Sequence, residues 1–223
     1  MNIFSSNSLL GRFLNALSNI VILNFLWLLC SLPIFTIGAS TTAMYYSFMR
    51  WLRRDDGYIH VNFFSSFKKN FKQSTIIWLI MLAIGLMISF DFRIGILFNS
   101  GDGGSSTGKI ILVISVILAI YYSFVLIYIF PILAKFENTI KDTFKNALLM
   151  PIAHLGYTSL IYFFIATFIV MTFISRFFIG VEVLTGFGLY GFLTTNIFIT
   201  IFRKYLPDEI EDDAEVSGIN KIY

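Results

Sequence analysis

The groups in this chain that could do chemistry are few and scattered. Its histidines are His60 and His154, and its single cysteine is Cys30. A metal site needs three or four His, Cys, Asp or Glu side chains at ligand spacing, and no such cluster is written here. One cysteine cannot close an internal disulfide. The "GDGG" stretch at 101–104 lacks the lysine in register and the helix start that a phosphate-cradling loop requires. Paired carboxylates are absent from the apolar segments. No enzymatic activity and no cofactor or metal are therefore expected.

A charge at membrane depth reads first as functional. Asp91 and Arg93 lie near the end of an apolar stretch, where Asp91 can bond to a neighbouring helix and Arg93 can reach outward to headgroups. Glu182 and Arg176 flank what reads as a short turn, 176–183. Asn15, Ser18, Asn19 and Asn24 lie on the first apolar segment, and Thr194, Thr195 and Asn196 on the last. Hydrogen bonds between helices are their expected use. None of these residues reads as a proton relay.

The other candidate is "SLPIFTIGAS", Ser31–Ser40, inside an apolar run from Phe13 to Leu52. Pro33 lacks an N–H and restricts the residue before it, so a helix readily ends there. Gly38 lets the chain turn and restart. Gly38 and Thr42, and Ala39 and Ala43, are four apart, a spacing that lets helix backbones approach closely in lipid. Pro33, Thr36, Gly38, Ala39 and Ser40 are thus a candidate packing motif. A functional reading would have exposed backbone near Gly38 coordinate a substrate.

These residues must be placed by membrane helices. Over 223 residues the mean hydropathy is +0.80, 57% are hydrophobic and 13% charged, against about 25% charged in soluble domains. The expected fold is all-α, a polytopic transmembrane bundle with two cytoplasmic amphipathic helices. A span needs about 20 apolar residues. The candidates are 14–34, 37–52, 74–98, 110–133, 151–175 and 184–202, six spans, or five if 13–52 crosses once. Basic residues gather in 50–73 (Arg50, Arg53, Arg54, Lys68, Lys69, Lys72), in 134–150 (Lys135, Lys141, Lys145) and at Arg203 and Lys204. The positive-inside rule makes all three cytoplasmic, with both termini. Arg12 also prefers that side, so 13–52 is expected to cross twice, as a hairpin turning outside. The first segment lacks a small-x-small cleavage site and reads as a retained span rather than a signal peptide.

"NFFSSFKKNFK", 62–72, repeats Phe63, Phe67 and Phe71 every four residues, with Lys68, Lys69 and Lys72 on the other side. In "KFENTIKDTFKNALL", 135–149, Phe136, Ile140, Phe144 and Leu148 form the stripe and Lys145 the polar side. Both are amphipathic. They can meet lipid and anionic headgroups, pack on the ends of their own bundle, or present a docking surface to a cytoplasmic partner. "AMYYSFM" at 43–49 matches "AIYYSFV" at 119–125, and "SFKKNF" at 66–71 matches "TFKNAL" at 143–148. That pattern predicts a parallel repeat, about 36–98 and 112–175, in one membrane domain, 1–206. The tail 207–223 carries the acidic run "DEIEDDAE" and reads as solvated.

Asn24, Trp27, Leu32–Pro33, Thr36–Ala39, the acidic-Gly pair Asp56–Gly57 and the Phe63–Phe71 helix together resemble the YesL-like family of bacterial membrane proteins. The resemblance covers the first third of the chain; beyond residue 80 only hydropathy agrees. It implies a plasma-membrane protein linked to sugar use, since such proteins are often found with sugar-importing ABC transporters, and it supplies no catalytic residues. Two functions follow as expectations. One is an accessory or regulatory protein acting with the subunits of a sugar ABC importer. The other is an autonomous transporter of a small solute such as a sugar. The lipid bilayer is a partner in either, nucleic acid is not, and no residue pattern specifies an oligomeric state. A continuous polar cavity between the halves would favour transport, and a solid Phe-packed core the accessory role.

Overall fold

A chain in lipid must satisfy every backbone N–H and C=O within itself, and an apolar run does so by coiling into α-helix. The computed structural model describes residues 9–53, 58–100, 105–174 and 176–206, and no strand forms among them. Helices α1 (Leu9–Ser31) and α2 (Ile37–Leu52) are joined by a 3-10 turn, Ile34–Thr36. Helices α3 (Ile59–Asn99), α4 (Ser106–Lys135), α5 (Ile140–Ala153) and α6 (Leu155–Ile174) follow. A helix α7 (Arg176–Val181), a π-helical turn (Glu182–Gly186) and α8 (Phe187–Phe202) complete the bundle. The Asp56–Gly57 pair, the 101–104 loop and the acidic tail 207–223 lie outside the described residues.

Among the described residues, five segments are long and apolar enough to cross a membrane: Phe13–Ser31, Ile59–Asn99, Ser106–Lys135, Leu155–Ile174 and Phe178–Phe202. These helices are consistent with the multi-pass membrane protein expected from composition. Helix α2 is not among the five. At 16 residues it rises about 24 Å, short of a hydrocarbon core of about 30 Å.

Residues 13–52 do form two helices rather than one. Trp27 Nε1 donates to Thr41 Oγ1 at 3.0 Å across the turn. Further from it, Ile20 and Leu23 pack with Ala43, Met44 and Phe48. These contacts make α1 and α2 an antiparallel hairpin. Thr36 closes its turn: one hydroxyl proton is shared between the Cys30 carbonyl at 2.5 Å and the Pro33 carbonyl at 2.6 Å.

The turn of this hairpin is seated on α3. It packs against the middle of α3, where Trp78 Nε1 donates to the Ile34 carbonyl at 2.7 Å. From Trp78, α3 runs on to Asn99, about 30 Å further at 1.5 Å per residue. The return helix α4 pairs with it throughout: Gly95 abuts Leu112, and Gly108 abuts the Phe98–Asn99 backbone. The α1–α2 turn thus stands beside the middle of α3, about 30 Å short of its Asn99 end. Leu32, Pro33, Ile34 and Phe35 of the turn are apolar and exposed. Positive charge selects the side of a loop and says nothing of its depth.

Gly38 seats the hairpin. A Cβ there would stand 2.7 Å from the Ser74 carbonyl oxygen and 2.7 Å from Trp78 Cβ, so the two helices touch backbone to backbone. Ala39, Ser40, Thr42 and Ala43 are buried beside it. Ser40 and Thr42 return their hydroxyls to carbonyls one turn back, and Ser74 Oγ reaches Thr42 Oγ1 at 3.2 Å. The small residues are thus spent on close packing.

Three expectations are corrected. The amphipathic stretch 62–72 is no separate helix but the first half of α3. Gln73, Ser74 and Thr75 join it to the span without glycine or proline, so nothing stops the coil. The segment 176–183 is helical rather than a turn. The span expected over 151–175 begins at Leu155, because Pro151 sits in the last turn of α5 and the chain breaks at His154 (φ −125°, ψ 45°).

The bundle's centre is filled. Tyr128 meets Phe198 edge to face at 5.0 Å, Phe198 meets Tyr45 at 5.7 Å, and Phe202 meets Phe136 at 5.2 Å. Ile77, Met81, Ile129, Ile132 and Ile201 close the spaces between them.

Two outcomes are expected. Gly38→Leu should lower the thermal stability of the detergent-solubilised protein by about 3 kcal/mol or more, since overpacking against rigid backbone cannot relax; an unchanged melting curve would refute the seat. In a Cys30→Ser background, a maleimide that does not cross bilayers should label Ser105→Cys from one face and Leu32→Cys from neither. Labelling of both from the same face would mean the hairpin crosses fully.

Candidate functional site

The first half of α3, the 136–139 linker and α5 meet at one end of the bundle. Thr139 caps α5: its hydroxyl oxygen accepts from the Asp142 N–H at 3.2 Å, and its O–H donates to Asp142 Oδ2 at 2.6 Å. Lys69 Nζ donates to Glu137 Oε1 at 2.5 Å, and Gln73 Nε2 donates to the Asn138 carbonyl at 2.7 Å. These bonds tie α3 to the linker. The Lys69 ammonium holds the Glu137 carboxyl below its usual range, by hydrogen bond first and charge second. Both side chains are largely in solvent, so the pair aligns the surface more than it stabilises it.

A polar cleft of about 360 Å³ lies here, lined by Tyr46, Ser65, Asn70, Gln73 and Lys135 among others. A second hollow of about 280 Å³ shares Tyr46 and Lys135 and adds Arg50 and Arg53. The Arg50 guanidinium stands 5.9 Å over the Tyr46 ring. At the C-terminal end of α8, His154 Nε2 lies 2.9 Å from the Tyr205 hydroxyl. Partial burial, and then the Lys204 charge, lower the affinity of that imidazole for a proton.

The residues expected on this surface divide. Lys68, Lys69, Phe71, Lys72 and Lys145 are exposed. Phe67 and Phe144 are half-buried. Phe63 is fully buried with Ile59, Phe48 and Met44, so it belongs to the core and not to a lipid or partner surface. Phe63, Phe67 and Phe71 form a ladder of rings, 6.2 Å and then 5.4 Å apart, leading from core to surface.

A second site escaped the reading of the sequence. Near the start of the last span the helix relaxes into the π-helical turn Glu182–Gly186. Such a turn disturbs the regular backbone ladder. Asn24 of α1, itself buried, satisfies what is freed. Its Nδ2 donates to the Val183 and Leu184 carbonyls, each at 2.9 Å, and its Oδ1 accepts from the Gly188 N–H at 2.9 Å. Gly188 permits this approach, since a Cβ there would stand 2.5 Å from the Ile20 carbonyl oxygen. The Glu182 side chain then lies along a cavity of about 460 Å³ between α6 and α8, walled mainly by Ile165, Phe168, Ile169, Ile179, Phe187 and Tyr190. Thr172 Oγ1 donates to Glu182 Oε2 at 2.7 Å. Glu182 Oε1 is buried with no hydrogen-bond partner among the described residues.

Asn24 was visible in the sequence as a polar residue in an apolar helix, but its partners lie about 160 positions away. Asn24→Ala should destabilise the protein by about 2 kcal/mol or more, because it leaves buried backbone groups unpaired. Thermal unfolding in detergent measures this, and a melting curve equal to that of the parent would show that the π-helical turn stands without Asn24.

Residues 20–92 match the family described as "Protein of unknown function, DUF624". The chain is similar to "Uncharacterized protein YesL" of Bacillus subtilis (strain 168), with 26% identity over 137 residues, covering 60% of this chain and 62% of that protein. The match thus spans less than two thirds of that relative's length. No solved structure matches. The DUF624 match covers Asn24–Leu79, the segment whose residues carry the resemblance, and with the likeness to YesL it supports the YesL-like family for this chain.

Proposed function

We propose that this membrane protein is an accessory or regulatory component acting on a carbohydrate importer, and that it docks its partner through the polar end of the bundle. The observation that carries the reading is the first half of α3. It extends past the Lys135 end of α4 as continuous helix, braced on one face by α2 through Ile59, Phe63 and Phe48. On its other face Lys68, Lys69, Phe71 and Lys72 stand exposed. A rigid helix with basic residues around an exposed aromatic ring suits a protein partner, since aromatic residues anchor interfaces and charge steers association. The sugar-importer link comes from the family resemblance and remains part of the proposal. No catalytic step enters it.

An autonomous transporter would carry its solute along a polar passage between the helices. The ring cluster of Tyr45, Tyr128, Phe198 and Phe202 occupies that place, which weighs against the alternative.

The test is affinity purification from membranes in mild detergent. The parent protein should recover importer subunits in stoichiometric amount. The triple variant Lys68→Glu, Lys69→Glu, Lys72→Glu should lose them while keeping its own melting temperature. Recovery of the parent alone, together with solute uptake by vesicles that contain only this protein, would overturn the accessory role.

A further inference from the structure

The docking role makes no use of the cavity beside Glu182. We infer that this cavity binds a single-chain amphiphile whose polar head donates a hydrogen bond, an amine before a hydroxyl, with Glu182 Oε1 as the acceptor.

Four observations converge on it. The volume, about 460 Å³, falls in the range of ligand sites, roughly 300–1,000 Å³. The wall is apolar except at Glu182, Thr172 and Tyr190, so an occupant must be apolar over most of its length. A carboxylate in such a setting is expensive unless it is paired. Here Thr172 satisfies one oxygen and nothing described satisfies the other, which is buried. The last span departs from α-helical geometry only at this place, and Asn24 holds that departure open. Helices often depart in this way at functional sites.

The chemistry of the head follows. A carboxylate oxygen only accepts, so the group facing it must donate. A cationic amine adds charge attraction in a medium of low dielectric. An acid head would place two acceptors together and is rejected. The chain follows from the wall: Ile169, Ile179, Val183 and Phe187 are partly exposed on the bilayer side, so an acyl or alkyl chain enters from lipid.

Trp27 reports on this site, because its ring stacks on Phe187 at 4.2 Å, and Phe187 lines the cavity. The probe is a single-chain primary amine brominated on its chain, added to the purified protein in neutral detergent, with quenching of tryptophan fluorescence as the readout. Quenching should saturate. The amine should need at least tenfold higher concentration with Glu182→Gln, and Lys109→Gln should leave the curve unchanged. A brominated carboxylic acid of equal chain length should quench only weakly and without saturation. Ile179→Phe fills the cavity and leaves the carboxylate in place, so it should abolish saturable quenching even if Glu182→Gln fails to fold. Equal quenching by amine and acid, or an unshifted curve in Glu182→Gln or Ile179→Phe, would reduce the effect to partitioning into micelles and sink the inference. Capture of a partner helix that crosslinks at Glu182, with no amine quenching, would sink it equally.

Discussion

The backbone contact between Gly38 and the Ser74–Trp78 turn of α3 is the constraint on which the remaining architecture rests. It holds the α1–α2 hairpin at one depth on the longest helix. That depth brings Tyr45 beside Phe198 and Thr194, with its hydroxyl 3.1 Å from Thr194 Oγ1. It also sets Met44 and Phe48 against Gly191 of α8, where a Cβ would meet Met44 Cε at 2.7 Å. In a bilayer, apolar helices gain nothing by hiding from lipid, so close van der Waals contact and hydrogen bonds must supply the specificity. Gly38, Gly188 and Gly191 are the places where this chain obtains that closeness.

The two candidate sites depend on the hairpin in different ways. Helix α2 braces the basic half of α3, which would otherwise stand alone beyond the end of α4. Helix α1 delivers Asn24 to the π-helical turn and so determines where Glu182 lies. One hairpin thereby organises a polar surface at one end and an acidic cavity within the last span. The 24–79 segment contains the turn of the hairpin, all of α2 and the basic half of α3, and it falls within the stretch matched by the DUF624 family.

What the sequence made legible follows from chemistry that acts locally. Apolar runs became helices because lipid leaves the backbone no other partner. Pro33 and Gly38 marked a real turn, and Lys68, Lys69 and Lys72 marked a real polar face. Three features were hidden for physical reasons. The Phe/Lys periodicity of 62–72 states which face is wet, not where a helix stops, so the continuity of α3 had to be read from the missing breaker at 73–75. The seat of the hairpin on α3 depends on one backbone contact with a residue 36 positions away or more, which charge counting cannot see. Glu182 looked like a residue in a short turn because Arg176 and Glu182 bracket the segment. Its true setting depends on a change of helical pitch that Asn24 stabilises from the other end of the chain.

The unbroken course of α3 has a geometric consequence. Its 41 residues form a rod of about 60 Å without a hinge. Lys69 near one end and Asn99 at the other belong to this one helix, and Gly38 touches it between them at Ser74 and Trp78. The other amphipathic segment is built differently: α5 is cut from α6 at His154. The basic residues of α3 and its Asn99 end therefore share one uninterrupted helix, whereas α5 and α6 do not.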